Sequence, residues 1–353
     1  MRRISQSLSL ILLIFLTGCS LLTPTPSGQI TTPSSGTAAP AAEVRFIVET
    51  PQSTPNNADL DLVLLDPATD LNFNTQRIPM QAQSDGSWAV SLTPAVGSLL
   101  YYRYEKSGPS EAIEVTAQGS LVDYRNTYIS GPGEIREIVA RWSDEPYQAE
   151  SGRLLGQVLS TQDGQPLNEM LISVGGHLTF TDGEGRYRVD DLPAGRHSIT
   201  AFSPTGSYLP YRQEALIAAN TTTPADIQLE AAEPVVVTFQ VRVPANTPEQ
   251  ARLHLAGNIA QLGFRFTPSE YGSYQSISQM PTLVRVDPEN YLGVFTLYSG
   301  TYLHYKYTLG DGVWNAERSA SGAFAARSVM LQGENPTLRD QVLSWSESTS
   351  EPI

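Results

Sequence analysis

Four side chains near the end of the sequence have the chemistry to hold a sugar: Lys306, Trp314, Asn315 and Glu317. A flat, exposed aromatic ring can cover the aliphatic C–H face of a pyranose, because burial of that apolar area is favourable. Ammonium, amide and carboxylate groups beside the ring can replace the water that bonded to the sugar hydroxyls. The pattern predicts a polysaccharide site with Trp314 as the stacking ring. The alternative is a peripheral core tryptophan that folds over a strand edge.

The sequence offers no pattern that is typical of an enzyme. It lacks a Gly-x-Ser-x-Gly elbow, a phosphate-binding loop and a His-Glu-x-x-His motif. Its histidines are single and lack the spacing of metal ligands: His177, His197, His254 and His304. Acidic pairs such as Asp182 and Glu184 are predicted to lie in solvated turns. We therefore expect no catalysis, no metal site and no cofactor.

The charge balance argues against nucleic acid as a partner. The chain has 36 acidic and 22 basic residues and a formal net charge of −14. Binding to phosphates requires clustered lysine and arginine side chains. We expect no nucleic-acid contact.

The first 42 residues predict export and a tether. Arg2 and Arg3 precede an apolar run, which ends at Leu16-Thr17-Gly18-Cys19. This stretch resembles a bacterial lipoprotein signal peptide over residues 1–19. The resemblance implies a lipid-modified Cys19 and a membrane anchor, on the outer face of the cytoplasmic membrane or on the outer membrane. The alternative is an ordinary secretion signal with a chance cysteine. Residues 20–42 are rich in Pro, Ser and Thr, which predicts a disordered linker.

Two parts of the remaining chain repeat each other. "VRFIVETPQSTPNNADLDLVLL" from Val44 matches "VTFQVRVPANTPEQARLHLAGN" from Val237 at an offset of 193 residues. At an offset of 203, "REIVARWSD" from Arg136 matches "RDQVLSWSE" from Arg339. The register holds at both ends, so we predict two related domains, over residues 43–145 and 235–347. We call them the N-terminal copy and the C-terminal copy.

Both copies are predicted to be β-sheet structure. "VTFQVRV", "RLHLAGN", "YLGVFTL" and "YLHYKYTL" alternate apolar and polar side chains, with Gly, Pro, Asn and Asp between them. Short strands at this spacing favour a sandwich of about a hundred residues. Trp142 and Trp345, in the closing strand of each copy, are predicted core residues.

The segment between the copies, residues 152–232, has another pattern. Its turns include Gly164-Gln165-Pro166-Leu167, Asp182-Gly183-Glu184-Gly185 and Leu192-Pro193-Ala194-Gly195. With "GQV" from Gly156 and "ITA" from Ile199, it resembles the carboxypeptidase regulatory-like domain family. The resemblance implies a transthyretin-like sandwich without catalytic residues.

The C-terminal copy is similar to the starch-binding domains of family-20 carbohydrate-binding modules. "VTFQVRV", "RLHLAGNIAQLG", "GTYLHYKY" and "GDGVW" carry the likeness. The resemblance implies an α-glucan site in which Trp314 stacks and Lys306 bonds to hydroxyls. Where the family has a second tryptophan, this chain has Phe264 and Phe266, which we expect to flank the site. The N-terminal copy has Glu111 opposite Trp314, so we expect a degenerate copy.

These observations predict an all-β chain of three consecutive β-sandwich domains, immunoglobulin-like, starch-binding-like or transthyretin-like, after a disordered tether. We expect an exported, lipid-anchored, non-catalytic protein of the cell envelope that binds polysaccharide through its C-terminal copy. The alternative is a structural or adhesive surface lipoprotein that presents its domains to a protein partner. A secreted glycosidase is a further candidate partner.

Overall fold

The structure is a computed structural model. It describes residues 30–31 (backbone only), 39–55, 57–267, 273–310, 313–333 and 335–346. The prediction of an all-β chain is confirmed, because the described residues form 28 strands and two single-turn 3-10 helices, Ala260–Leu262 and Ile277–Gln279. The first strand, β1 (Ile30–Thr31), lies within the predicted tether.

The N-terminal copy is a sandwich of two sheets. One has the strand order β10-β2-β6-β5, and the other has the order β11-β8-β7-β3-β4 with β9 also paired to β7. Phe46, Tyr102, Tyr104 and Trp142 fill the space between them. The strands are β2 (Val44–Glu49), β3 (Asp59–Leu64), β4 (Gln76–Pro79), β5 (Gln81–Ala82), β6 (Trp88–Leu92), β7 (Leu99–Ser107), β8 (Ala112–Val115), β9 (Arg125–Tyr128), β10 (Gly133–Ile138) and β11 (Arg141–Trp142).

The middle segment forms a smaller sandwich. Its sheets have the orders β15-β12-β18, with β19 also on β12, and β14-β13-β16-β17. The core between them includes Leu154, Ile172, Tyr187 and Ile199. The strands are β12 (Ser151–Ser160), β13 (Leu171–Val174), β14 (His177–Phe180), β15 (Arg186–Pro193), β16 (Gly195–Phe202), β17 (Tyr211–Ile217), β18 (Thr222–Pro224) and β19 (Ile227–Leu229).

The C-terminal copy wraps one long sheet around its core, in the order β26-β24-β21-β22-β23-β20-β27. In β20 buried and exposed residues alternate, as its sequence predicts. A short pair, β25 with β28, closes one end. The strands are β20 (Pro234–Arg242), β21 (Leu253–Gly257), β22 (Thr282–Arg285), β23 (Asn290–Tyr298), β24 (Tyr302–Thr308), β25 (Glu317–Arg318), β26 (Ala325–Met330), β27 (Thr337–Gln341) and β28 (Ser344–Trp345).

The two copies share their strand pairing. β2 lies parallel to β10 and antiparallel to β6, as β20 lies parallel to β27 and antiparallel to β23. The closing tryptophans also agree: the indole N–H of Trp142 donates to Thr54 Oγ1 and that of Trp345 to Thr247 Oγ1, each over 2.9 Å. Trp142 is fully buried, and the half-buried Trp345 packs against its core. The internal repeat is therefore a repeat of structure as well as of sequence.

The three sandwiches meet at one hydrophobic cluster, which we call the junction. It takes residues from the N-terminal copy, the middle segment and the C-terminal copy. Its buried members are Val63, Leu65, Leu71, Tyr101, Tyr124, Leu171, Phe202, Phe264, Phe266 and Tyr274. Each sandwich thus buries apolar side chains against both of the others.

Part of the predicted tether pairs with the C-terminal copy. β1 runs parallel to the edge strand β26, with Ile30 opposite Ala325 and Thr31 opposite Ala326. An edge strand offers unpaired backbone groups, and an extended segment of chain can satisfy them.

Candidate functional site

Trp314 lies on the surface, as the sugar-stacking prediction requires. It is 66% exposed, at the tip of the hairpin that joins β24 to β25. The Leu309 N–H donates to the Asn315 carbonyl over 3.0 Å and closes this hairpin. A Cβ at Gly310 would lie 2.8 Å from the Asn315 side-chain nitrogen, so glycine allows the close approach. Asn315 is half-buried. Asp311 and Gly312 of the turn lie outside the described residues.

A cation–π pair follows the tryptophan in sequence. The guanidinium carbon of Arg318 is 3.8 Å from the centre of the Phe324 ring, and Arg318 Nη2 donates to the Val313 carbonyl over 3.1 Å. Burial lowers the pKa of Arg318 from its ordinary value. This pair connects the segment before Trp314 to β25 and holds the end of the hairpin in place.

Lys306 and Glu317 are interior residues, so the prediction that they reach sugar hydroxyls from an open site is wrong. Lys306 has no exposed surface, and its ammonium nitrogen lies 5.9 Å from the centre of the Phe324 ring. Glu317 is 1% exposed, and one of its carboxylate oxygens accepts the Tyr307 N–H over 2.8 Å. The other lysine of the chain, Lys106, is also buried, beside the Trp142 ring.

Glu317 belongs to a buried ionic network. It pairs with Arg327, whose Nε lies 3.4 Å from Asp340 Oδ1. The hydroxyls of Tyr305 and Tyr307 both donate to Asp340 Oδ2, over 2.8 and 2.7 Å. Burial alone would lower the pKa of Arg327, but the two carboxylates outweigh it and raise that pKa. Burial raises the pKa of Glu317, which Arg327 opposes. The network pairs these charges with one another inside the core and leaves neither carboxylate free for a ligand.

The N-terminal copy repeats this network. Arg125 Nη2 lies 2.7 Å from Glu114 Oε2, and its Nη1 lies 3.4 Å from Glu137 Oε1. Glu114 accepts the Tyr104 N–H as Glu317 accepts that of Tyr307. Glu114 precedes Glu317 by 203 residues, the offset of the repeat. That match was the sequence feature that could have identified Glu317 as a core residue.

Phe264 and Phe266 lie in the junction, 3% and 6% exposed, so they do not flank an open sugar site. The Phe264 ring is 5.5 Å from Tyr101 of the N-terminal copy, and the Phe266 ring is 5.6 Å from Phe202 of the middle segment. These rings bury area between domains, where a sugar cannot reach their faces. Their role was invisible to sequence reasoning because their partners lie in other domains.

A hydrogen-bonded row crosses between the two copies. His304 Nε2 lies 3.0 Å from Asp66 Oδ1, and His304 Nδ1 lies 2.8 Å from Ser328 Oγ. Asp66 also accepts the backbone N–H groups of Ala68 and Thr69. Burial would raise the pKa of Asp66, but His304, with smaller effects from Lys306 and Asn74, holds it well below its usual range. Asp66 is therefore a buried carboxylate that faces a side chain of another domain.

This row borders a cleft of about 390 Å³ between the copies, lined mainly by apolar side chains such as Leu64, Leu92 and Leu99. Serine, histidine and aspartate are also the groups of a nucleophilic triad. Here Ser328 and His304 are direct partners in a regular antiparallel ladder, and no strained turn presents the serine. We interpret the row as a clamp between domains.

The described residues contain no group of three or more His, Cys, Asp or Glu side chains that could hold a metal ion. Among them, no helix has the length and apolar character that crossing a bilayer requires. Cys19, the predicted signal peptide over residues 1–19 and most of the 20–42 linker lie outside the described residues.

The middle sandwich is similar to a known family of domains. Residues 153–230 match the family model of the carboxypeptidase regulatory-like domain, which confirms the prediction for this segment. No curated protein sequence matches the chain. The similarity of the outer copies to starch-binding modules stays a prediction.

Solved structures show only a distant likeness. A streptococcal ancillary pilin is 12% identical with a TM-score of 0.27, over 85% of this chain and 99% of the pilin. The Bacillus anthracis TIE protein is 12% identical with a TM-score of 0.22, over 87% of this chain and 51% of that protein. A minor pilin of Streptococcus agalactiae is 10% identical with a TM-score of 0.22, over 54% of this chain and 97% of the pilin.

Proposed function

We propose that the chain is a non-catalytic protein of the cell envelope, which presents three β-sandwiches as one block to a protein partner. Export and anchoring follow from the lipoprotein-like first 19 residues and Cys19. The junction is the observation that carries this proposal, because it buries aromatic side chains of all three sandwiches in one cluster. Domains that merely follow one another on flexible linkers would not share a core.

Polar contacts support the same block. Tyr124 Oη of the N-terminal copy donates to the Phe266 carbonyl over 2.7 Å. The Asn126 N–H donates to Ser173 Oγ of the middle segment over 3.1 Å. The Ala260 N–H of the C-terminal copy donates to the Pro204 carbonyl over 3.0 Å. Each pair of sandwiches is thus joined directly, and their mutual orientation is fixed by directional bonds as well as by apolar packing.

Fractionation and site-specific photocrosslinking test the proposal in cells that produce the full chain. Cys19→Ser should move the chain from the membrane to the soluble exported fraction, because it removes the acylated thiol. A photoreactive residue placed singly at the exposed Leu121 or Leu216 should give a crosslink to a second protein. The buried Phe46 position is the matched negative control. A Cys19→Ser chain that stays with the membrane overturns the anchor, and exposed positions that crosslink no more than the control overturn the presentation.

A second candidate function is polysaccharide binding at Trp314, which its 66% exposure favours. Since Lys306 and Glu317 are buried, Asn315 is the remaining predicted polar contact. We expect soluble starch cast in a native gel to retard the chain, and Trp314→Ala to remove that retardation. Tyr211→Ala removes an exposed ring of the middle sandwich and should leave it unchanged. Unretarded migration, or equal retardation of the wild type and Trp314→Ala, excludes this site. A secreted glycosidase would be a suitable partner if the glucan is bound.

A further inference from the structure

One outer sheet face of the C-terminal copy is unusually apolar. Val284, Val286, Val294, Val236 and Leu292 are 71%, 65%, 56%, 41% and 36% exposed, and we call these five residues the valine face. Val284 and Leu292 are direct partners across β22 and β23. Val294 lies two residues further along β23, on the same side of the sheet. Contiguous exposed apolar side chains on a soluble domain mark an interaction surface.

The N-terminal copy shows that the fold does not need these side chains. For Val284, Val286, Leu292 and Val294, the positions 203 residues earlier hold polar or small residues: Gln81, Gln83, Ala89 and Ser91. Gln81 pairs with Ala89 across β5 and β6, just as Val284 pairs with Leu292. The same ladder therefore forms with polar or small residues at these positions. The strand framework that the two copies share therefore does not require the valine face.

The charge of the face indicates which partner fits. The outward residues of β20, β22, β23 and β27 include two arginines, Arg242 and Arg339, and no carboxylate, although the chain has a net charge of −14. At the rim, Arg242 Nη2 lies 2.9 Å from Glu289 Oε2, so this charge is already balanced. Two copies of an acidic chain repel over most of their surfaces. Here they can approach without bringing carboxylates of the four strands together.

The size of the face sets the strength of such a contact. The five residues lie on or beside β20, β22 and β23, and three strands at a spacing of about 4.8 Å, with nine residues of about 3.3 Å each in the longest two, give a flat area of about 400 Å². A stable interface needs about 800 Å² from each partner. A contact through this face alone is therefore weak and reversible.

We propose that two copies of this chain associate, sheet against sheet, through their valine faces. A two-fold axis would place the aliphatic side chains of one copy against those of the other and exclude water from both. None of the five residues belongs to the junction, so the contact needs no rearrangement of the three sandwiches. It is independent of the proposed protein partner and of the anchor.

Sedimentation equilibrium of the full chain with Cys19→Ser tests the association, from about 1 μM to about 1 mM, a range that covers weak complexes. The average mass should rise toward that of a dimer. Substituting V284Q, V286Q and V294S together gives the residue types of the N-terminal copy and should weaken association at least about tenfold, roughly 1.4 kcal/mol. Gln83→Ala, at the matched position of the other copy, should leave it unchanged. Added salt should strengthen it by screening the acidic surfaces.

Several results would overturn the proposal: a monomer over the whole range, a dimer that the triple variant leaves unchanged, or a dimer that Gln83→Ala weakens equally. A dimer weakened by salt would also overturn it, since the contact would then depend on ion pairs. If circular dichroism shows that the triple variant does not fold, the single variant V284Q replaces it in the sedimentation test, because the Val284 side chain is 71% exposed. A monomeric chain that crosslinks in cells from position 294 to a different protein assigns the face to that protein instead.

Discussion

At the scale of single residues, burial separates the predicted sugar contacts into two kinds. Trp314 projects into solvent, whereas Lys306 and Glu317 lie inside. The position of Trp314 after a turn at a strand end predicted its exposure. Lys306 lies between Tyr305 and Tyr307, whose side chains point into the sandwich, so alternation places it on the outer side of its sheet. Lys306 is buried there because other residues of the chain cover the outer side of the sheet. No local sequence pattern indicates that they do so.

His197 predicts a loss of stability in acid. The ring is buried, its Nε2 lies 2.8 Å from the Pro193 carbonyl oxygen, and burial lowers its pKa from 6.5 to about 4. Below about pH 6.5 the unfolded chain binds a proton at His197, whereas the folded chain binds it only near pH 4. The free energy of unfolding therefore keeps its full value above about pH 6.5. It falls by about 3 kcal/mol in total as the pH decreases from about 6.5 to about 4.

Urea unfolding at pH 7 and pH 4.5 measures this loss. His197→Phe removes the titrating group and should make the difference between the two midpoints smaller. His254→Gln, at a half-buried ring in the C-terminal copy, serves as the control. Equal pH dependence in the wild type and His197→Phe would show that other groups cause the acid sensitivity.

At the scale of strands, alternation was sufficient to find four strands of the C-terminal copy. The segments predicted around Val237, Leu253, Leu292 and Leu303 correspond to β20, β21, β23 and β24. Their apolar residues recur at every second position and face a core, so the pattern is local. The order of strands in each sheet was not predictable, because it depends on contacts between residues far apart in sequence. β27, for example, pairs with β20 almost a hundred residues earlier.

The bond from tryptophan to threonine predicts unequal effects in the two copies. Thr54→Val and Thr247→Val each remove the acceptor of an indole N–H. An unpaired buried donor costs about 1–3 kcal/mol. Trp142 is fully buried and Trp345 is half-buried, so water can reach the second indole more easily. We expect Thr54→Val to lower the free energy of unfolding more, as measured by denaturation followed by fluorescence. A larger effect of Thr247→Val would contradict this explanation.

At the scale of the whole molecule, the junction could not be predicted from the sequence. Phe264 and Phe266 follow β21 in a segment without strand alternation, and their partners come from two other domains. The hydrophobic pattern predicts which side chains are buried, but it does not predict the domain against which they pack. Three separate sandwiches could be predicted from the residues. Their mutual packing could not.

Asp66→Asn tests how the two copies are held together. It removes the negative charge that faces His304, while the amide can still accept hydrogen bonds from its own loop. We expect looser docking of the copies, with a larger radius of gyration by small-angle X-ray scattering and faster proteolysis, and unchanged circular dichroism. Asp61→Asn, in a surface pair with Arg77, is the matched control. A scattering curve identical to the wild type would show that the clamp does not determine docking.

The position of the two lysines has a practical consequence. Lys106 and Lys306 are the only lysines of the chain, one in each copy, and both are enclosed. Acylating reagents should therefore spare these amines as long as each sandwich remains intact. The rate at which each lysine is modified, read peptide by peptide in a mass spectrometer, would report the opening of one copy independently of the other.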